Sequence, residues 1–437
     1  MEIIKDLGDG LLMRRAAVED ADCLAAFNSR IHGEDPYDAE AVGAWTRDLA
    51  LRPPPLFSVG DNLIVEDSRT GQIVSSLNTI SQKWSYEGIP FGVGRPELVG
   101  TDPAYRGRGL VRQQFQVIHE WSRQRGELLQ VITGIPFFYR QFGYEMGLEL
   151  GGGRAGYAPQ LPQLEAGKAE PYHIRPAVEA DLPFIMRMYE RECRRSMVSA
   201  LRDEATWRNE LFEKSRDNGN RLDVCVIETP DSRPVGYLAH PGFAWGTNQV
   251  ATRYELAEGI SYLAVTPSVI RYLWRIGQEN ARARGKTLDT FGLWFGSDHP
   301  AYHAVPGRLP FNGRPYAYYV RVHDLPAFIN RIAPALEARL CDSPCAGHTG
   351  ELRIGFYRDG LLLRFEAGRI TAELWKPSVE DPGAAAFPNL TFLQLLFGYR
   401  SLDELRCAYA DCSAREEARV LLEALFPKKP SSVWAVS

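Results

Sequence analysis

Residues 97–115 read ELVGTDPAYRGRGLVRQQF, and the fold turns on how that stretch is parsed. A β-like run ending at Thr101 passes through Pro103, threads Gly107 and Gly109 between Arg106, Arg108 and Arg112, and then starts a helix. A helix that begins after glycines displays its first N–H groups without crowding, and such groups make an anion site. The arginines add positive charge around it, so the expected ligand group is a phosphate or pyrophosphate. Within the helix, Val111, Phe115, Ile118 and Trp121 fall on one face, while Arg112, Gln116 and Arg123 stay in water. Gly126 suits a left-handed C-terminal cap, and the arginines just before it suit the helix dipole.

A chain of 437 residues is too long for one ordinary core, which predicts two or three domains. Hydrophobic residues at 45% and charged residues at 24% match an average globular protein rather than a disordered or membrane-embedded one. A net charge of −5 gives no global attraction to nucleic acid, so the anion site must be local, and neither nucleic acid nor membrane is expected as a partner. The start MEIIKDLGDG does not read as a signal peptide, and a cytoplasmic location is expected. Seven cysteines at irregular spacing argue for reduced thiols. Cys341, Cys345 and His348, with Cys407 and Cys412 downstream, match no zinc spacing well, and no metal is expected.

Strand-like and helix-like segments alternate through the first 150 or so residues: LLMRR, a helix around Asp20–Arg30, NLIVEDS, GQIVSSLNTI, the quoted stretch, LLQVIT, and a compact aromatic segment PFFYRQFGYEMG. The Gly- and Pro-rich GGGRAGYAPQLPQLEAGKAEP then reads as a linker or mobile loop. After it, the pattern R-x-A-x-x-x-D recurs with a glutamate inside it: Arg14 to Asp20 with Glu19 first, then Arg175 to Asp181 with Glu179, which predicts an internal duplication. Residues 261–285, SYLAVTPSVIRYLWRIGQENARARG, resemble the quoted stretch, but Thr266 to Gly285 spans 19 positions where Thr101 to Gly126 spans 25. The six missing positions match the Arg-Gly loop, so the second copy is expected to keep strand and helix and lack the anion cradle. His299 and His303 lie in that copy and are read as a structural loop. Beyond Arg321 come an amphipathic helix burying Leu325, Phe328, Ile329 and Ile332, a run of alternating strands over 351–375, helices at Phe392–Gly398 and Asp403–Leu425, and a tail that Pro427 and Pro430 keep from being helical.

The run Arg106-Gly107-Arg108-Gly109-Leu110-Val111 after a strand resembles the Arg/Gln-x-x-Gly-x-Gly/Ala acetyl-CoA signature of the GNAT N-acetyltransferases, with Val111 in place of the small last residue. End to end the chain resembles the enhanced intracellular survival (Eis) acetyltransferases, and Tyr139-Arg140-Gln141-Phe142-Gly143-Tyr144 resembles that family's Tyr-x-x-Phe-Gly-Tyr segment. The resemblance implies an α/β (α+β) chain: a GNAT domain over 1–152, a second GNAT domain without the cofactor loop over 171–320, both with mixed central sheets, and a sterol carrier protein 2-like domain over 321–437. It implies acetyl transfer from acetyl-CoA to an amine, whether aminoglycoside-like, polyamine or lysine, and a homo-oligomer, first of all a hexamer.

By the same resemblance, the main chain of Val99, Gly100 and Thr101 pairs with pantetheine, and the amides of Arg106, Gly107, Arg108, Gly109 and Leu110 hold the pyrophosphate. Tyr139 is placed as the general acid for the CoA thiolate, although its aromatic neighbours also suit a core residue. The carboxylate of Ser437 is placed as the base; Glu97, two residues before Val99 and expected on its face, is the alternative. An acyl-CoA or lipid carrier on the same scaffold is the competing reading. A nucleotide site of the P-loop kind is weaker, since no Gly-Lys-Ser/Thr follows the glycines.

Overall fold

The computed structural model describes residues 2–433. The first 150 residues form β1 (Ile3–Asp6), β2 (Leu11–Arg15), α1 (Ala21–His32), α2 (Pro36–Leu51), β3 (Asn62–Asp67), β4 (Gln72–Tyr86), β5 (Ile89–Thr101), α3 (Leu110–Gln124), β6 (Leu129–Ile132) and β7 (Glu145–Leu150). Asp35 starts α2 by accepting the Asp38 N–H at 2.8 Å, ahead of Pro36 in the first turn. In α3, Phe115, Ile118 and Trp121 are buried as the periodicity requires, and Gly126 takes φ 69° just past its end.

The middle of the chain supplies β8 (Gly153–Tyr157), β9 (His173–Pro176), α4 (Leu182–Cys193), β10 (Val198–Ala200), α5 (Glu204–Arg208), β11 (Leu222–Glu228), β12 (Pro234–Pro241), β13 (Asn248–Ala251), β14 (Arg253–Leu256), α6 (Tyr262–Ala283), β15 (Thr290–Leu293), α7 (Pro300–Ala304), β16 (Phe311–Gly313) and β17 (Tyr316–Val322). The last part adds α8 (Leu325–Cys341), β18 (Gly350–Gly355), β19 (Gly360–Glu366), β20 (Arg369–Trp375), β21 (Ala385–Ala386), α9 (Phe392–Leu396), α10 (Leu402–Ala408), β22 (Ser413–Ala414) and α11 (Glu416–Leu425). The result is a mixed α/β architecture with several mixed sheets, consistent with tandem GNAT folds.

Sheet membership does not follow chain order. The first sheet runs β1-β2-β3-β4-β5-β6-β17-β7, with β10 paired to the far end of β4. Thus β17 enters between β6 and β7, pairing Tyr319 with Ile132 on one side and Tyr316 with Leu150 on the other. In return β8 leaves the first half and pairs antiparallel with β15 and β16. One apolar core runs from Trp84, Tyr86 and Phe91 of the first sheet, through Tyr318 of β17, into Phe328, Ile329 and Ile332 of α8 and the last sheet.

The repeated R-x-A-x-x-x-D pattern folds twice into the same clamp. Arg14 holds Asp20 through both terminal nitrogens at 2.7 Å, binds Glu66 of β3, and donates to the carbonyl of Arg15. Arg175 holds Asp181 at 2.6 and 2.9 Å, binds Glu228 of β11, and donates to the carbonyl of Pro176. In each clamp the aspartate also accepts a backbone N–H three residues upstream, from Ala17 or Val178.

Three expectations need correction. The stretch beginning at Gly151 is not a linker throughout: it opens with β8, whose glycines serve close approach, while residues 161–172 carry neither strand nor helix. A Cβ at Gly153 would lie 2.2 Å from the Leu293 carbonyl oxygen, and one at Gly156 would lie 2.2 Å from that of Arg308. Residues 261–266 are not a strand preceding a helix, because α6 already begins at Tyr262; β14 is the strand, and extra helical turns stand where the first copy has its Arg-Gly loop. The helix expected over 403–425 breaks between Ala408 and Glu416, where Ser413 and Ala414 pair with Ala386 and Ala385 and so add β22 to the last sheet.

Candidate active site

The β4–β5 hairpin pairs regularly from Tyr86 with Ile89 up to Asn78 with Glu97, then resumes with Ser76 opposite Gly100. Leu98 and Val99 therefore both face Leu77, and Leu98 takes φ 51°. This is a β-bulge built on a non-glycine residue in the left-handed region, a costly conformation that recurs at functional sites. Leu98 packs with Trp45, Leu49, Phe57 and Ile80 on the α1–α2 side, whereas Val99 packs toward Leu110 and Phe115 on the α3 side. The alternation expected to put Glu97 and Val99 on one face thus stops at Leu98. Glu97 lies opposite Asn78, and Asn78 falls on the α1–α2 side, since Ser76 reaches Asn28 of α1 and Ile80 packs on Trp45.

Parallel pairing between β5 and β6 is confined to Val93 with Leu129 and Gly94 with Gln130. Past these two pairs β5 follows β4 and β6 follows β17, so a wedge opens between Arg95–Thr101 and the end of β6. Its main-chain groups are free to accept an extended ligand as an added strand. The Thr101 hydroxyl is held by Ser75 Oγ at 2.9 Å, and Ser75 is tied to Gln114 of α3 at 2.7 Å, so strand and helix keep a fixed relation.

At the mouth of the wedge stands the N-terminus of α3. Gly109 caps it with φ 73°, and the first helical bond is the 3.1 Å one from Gln113 N–H to the Gly109 carbonyl. The N–H groups of Leu110, Val111 and Arg112 consequently have no partner within the helix. Gly107 and Gly109 both have positive φ and nothing within 4 Å of where a Cβ would stand, so the cradle is open on that side. Asp102 anchors the strand end by accepting from Ala104 N–H at 3.0 Å and from Arg30 at 2.5 Å. Arg106 donates to the Thr101 carbonyl and Arg108 lies over Tyr105, both at the surface, whereas Arg112 is engaged by Gln141 at 2.8 Å and lies over Phe142. These features fit a pyrophosphate followed by a pantetheine arm along β5.

Tyr139 sits in the short helical turn Phe138–Phe142, entered through Phe137 at φ 62° and left through Gly143 at φ 86°. Its ring meets Phe115, Phe138 and Tyr319 at centroid distances of 5.9, 5.1 and 5.4 Å. Gly134 makes room for it, since a Cβ there would lie 3.4 Å from the phenol oxygen. Burial, and then the nearby Glu97 charge, push the Tyr139 phenol above its ordinary pKa. Tyr316 and Tyr319 of β17 buttress this corner by donating to the carbonyls of Gly134 and Ile135 at 2.8 and 3.1 Å.

His32, at the end of α1, packs against the strand end beside the bulge and was missed in the sequence, where it is a lone histidine near a helix end. Its Nε2 stands 3.1 Å from where a Cβ on Gly100 would be. Burial holds its pKa below 6.5, against the opposing pull of the Leu98 backbone, Glu97 and Asp38. Glu97 in turn accepts both Nε and Nη2 of the buried Arg95 on one oxygen, at 2.8 and 2.6 Å. Ser437 lies outside the described residues. Residues 431–433 line a cavity of about 260 Å³ together with Leu150 and Gly151 at the end of β7.

The remaining flagged residues stand apart from this site. His299 is buried, accepts the Ala301 N–H at 3.2 Å and donates to the Tyr254 carbonyl at 3.0 Å, and burial pushes its pKa down to about 3. His303 is exposed beside Asp298 at 2.8 Å. The seven cysteines are free thiols, and among the described residues no group of three His, Cys, Asp or Glu side chains is placed to hold a metal. No helix among them is long and apolar enough to cross a membrane.

Residues 24–147 match the model of the acetyltransferase (GNAT) domain. No curated protein matches the chain. Among solved structures, a GCN5-related N-acetyltransferase from Kribbella flavida is similar at 17% identity and TM-score 0.65, over 98% of this chain and 100% of that one. A probable N-acyltransferase from Enterococcus faecalis is similar at 14% identity and TM-score 0.64, over 96% of this chain and 98% of that one. Eis1 from Mycobacterium abscessus is similar at 15% identity and TM-score 0.61, over 98% of this chain and 100% of that one. At such identities the likeness shows a shared fold. The matched segment is a GNAT acetyltransferase domain, whose family transfers an acyl group from an acyl-CoA to an amine and uses acetyl-CoA as cosubstrate.

Proposed function

We propose that this chain is an Eis-type N-acetyltransferase: a GNAT domain that binds acetyl-CoA, a second GNAT-like unit without a cofactor loop, and a C-terminal sterol-carrier-like unit, assembled as a homo-oligomer with a hexamer first. The acceptor is an amine of the aminoglycoside, polyamine or lysine kind. The observation that supports the reading is one shared apolar cluster, in which Val99 of the bulge, on the strand that parts from β6, packs with Leu110 at the open start of α3 and with Tyr139. The twin clamps at Arg14 and Arg175 support duplication, and the extra turns of α6 support loss of the second cradle.

Val99 and Thr101 hold the pantetheine arm through main chain, and the amides from Arg106 to Leu110 hold the pyrophosphate. A main-chain N–H at the bulge meets the oxyanion that forms as the amine attacks the thioester. Tyr139, protonated at neutral pH, gives its proton to the departing thiolate. The carboxylate of Ser437 assists deprotonation of the amine, with Glu97 as the alternative. A pure carrier would have no use for the cradle or for Tyr139. The test is thiol release from acetyl-CoA with kanamycin, spermidine and a lysine peptide as acceptors: acetyl-CoA-dependent release with at least one is expected. Binding of acetyl-CoA without transfer to any of them would favour the carrier.

A further inference from the structure

The cavity of about 260 Å³ beside residues 431–433 lies between the end of β7 and the ends of β11 and β12. Its two charged groups are Glu149 and Arg253, and they are not equally engaged. Arg253 is committed to Glu192 at 3.0 Å and to the Val433 carbonyl at 2.9 Å. Among the described residues Glu149 accepts only from Ser297, whose Oγ and N–H reach the same oxygen, Oε2, at 2.8 and 3.3 Å, and no cation pairs with it. Two indoles complete the site. Trp245 is 44% exposed, and the Trp294 ring lies against Gly313 and Gly151, where a Cβ would stand 2.6 and 3.5 Å from it. Among the described residues neither indole meets another ring or a cation. Tryptophan faces attract cations more strongly than other rings do, so an unpaired carboxylate between two such indoles suits an organic ammonium. A void of this size holds an ammonium and a few methylenes rather than a whole ligand.

The cavity adjoins the corner that holds Tyr139. Leu150, in its wall, pairs with Tyr316, whose hydroxyl donates to the Gly134 carbonyl at 2.8 Å, and Gly134 borders the Tyr139 phenol. One strand spacing of about 5 Å and the length of a tyrosine side chain thus separate Leu150 from Gly134. We propose, resting on the function above, that this cavity is a subsite for a second ammonium of the acceptor, with Glu149 as its charge partner and Trp245 and Trp294 as its walls. The amine that reacts meets the thioester beside Tyr139 while the second is held here. Acceptors with two or more amines, such as spermidine and kanamycin, are therefore preferred over a peptide with a single lysine amine.

The experiment measures KM and kcat in wild type, Glu149→Gln and Trp245→Ala, with the better accepted of spermidine and kanamycin and with an N-terminally blocked peptide carrying one lysine. The wild-type KM should be about tenfold or more lower for the polyamine than for the peptide, and the gap should narrow as salt rises from about 50 mM to about 500 mM. Glu149→Gln keeps an acceptor for Ser297 and should raise the polyamine KM about tenfold, while kcat and the peptide KM hold. Trp245→Ala should raise the polyamine KM roughly two- to fivefold, and its exposed position keeps the test open if the glutamine variant does not fold. Indole emission gives a readout apart from turnover: the polyamine added without acetyl-CoA should change it in wild type, and Trp245→Ala should lessen the change. If wild type acetylates only the peptide, if both variants keep the polyamine KM, if the peptide KM rises as much, or if an accepted polyamine leaves the emission unchanged, this inference falls and the proposed function stands. If wild type acetylates none of the three amines, both fall.

Discussion

Replacing Tyr139 with phenylalanine removes one oxygen and leaves the ring. The ring contacts to Phe115, Phe138 and Tyr319 persist, so folding stability should change by no more than about 0.5 kcal/mol. If the hydroxyl protonates the leaving thiolate, kcat should fall by roughly 10²- to 10⁴-fold. At 1.36 kcal/mol per tenfold this is about 2.7–5.4 kcal/mol of transition-state stabilisation, several times the expected structural effect. Burial beside Glu97 raises the phenol's pKa, so in wild type the proton stays in place through alkaline pH and no basic limb from this group should appear below about pH 10. The assay is steady-state thiol release over pH 6–10, with acetyl-CoA affinity measured separately by calorimetry. Unchanged kcat in a folded Tyr139→Phe variant on every accepted amine would reduce the tyrosine to a packing residue and sink the assigned chemistry.

Gly109→Asp places a carboxylate and a Cβ at a φ of 73° in the open cradle, and should weaken acetyl-CoA binding by about tenfold or more in calorimetry while the protein stays folded. Arg14→Met leaves Asp20 and Glu66 without their cation in a half-buried clamp, and should cost about 2–4 kcal/mol by urea unfolding; Arg175→Met should act in the same direction. His299 is neutral in the folded chain down to about pH 3 and titrates near 6.5 when unfolded, so protons favour unfolding: stability should fall by roughly 1.4 kcal/mol per pH unit below 6.5, a slope that His299→Gln should lessen. Only one acetyl-CoA should bind per chain, and a calorimetric stoichiometry near two would contradict the loss of the second cradle.

The local elements of the site were legible because each rests on short-range physics. The amphipathic period of α3, the glycines before it and Gly126 after it are written within 30 residues of one another. The aromatic turn around Tyr139 was likewise visible as a compact segment. The glycines around β8 were misread because a glycine that admits a neighbouring backbone looks, in sequence, like one that frees its own. The bulge at Leu98 was invisible because leucine carries no preference for positive φ; the extra residue is accommodated by pairing on both sides. His32 could be found only after folding, when the end of α1 lands on Gly100. Tyr316, Tyr318 and Tyr319 lie about 180 residues beyond Tyr139, and no local pattern announces that β17 returns to the first sheet.

That return has a consequence for how the molecule is made. As the chain emerges during synthesis, the first sheet lacks the strand between β6 and β7 until residue 322 is free, long after Tyr139 has appeared. An unfilled slot of that kind offers two open strand edges, β6 and β7, to any other nascent chain. In a finished molecule the filled slot makes the first 152 residues depend on the rest of the chain, since β17 completes their sheet. A fragment ending at residue 152 should therefore aggregate rather than fold, and supplying residues 153–437 separately should restore soluble protein only if the two pieces are refolded together.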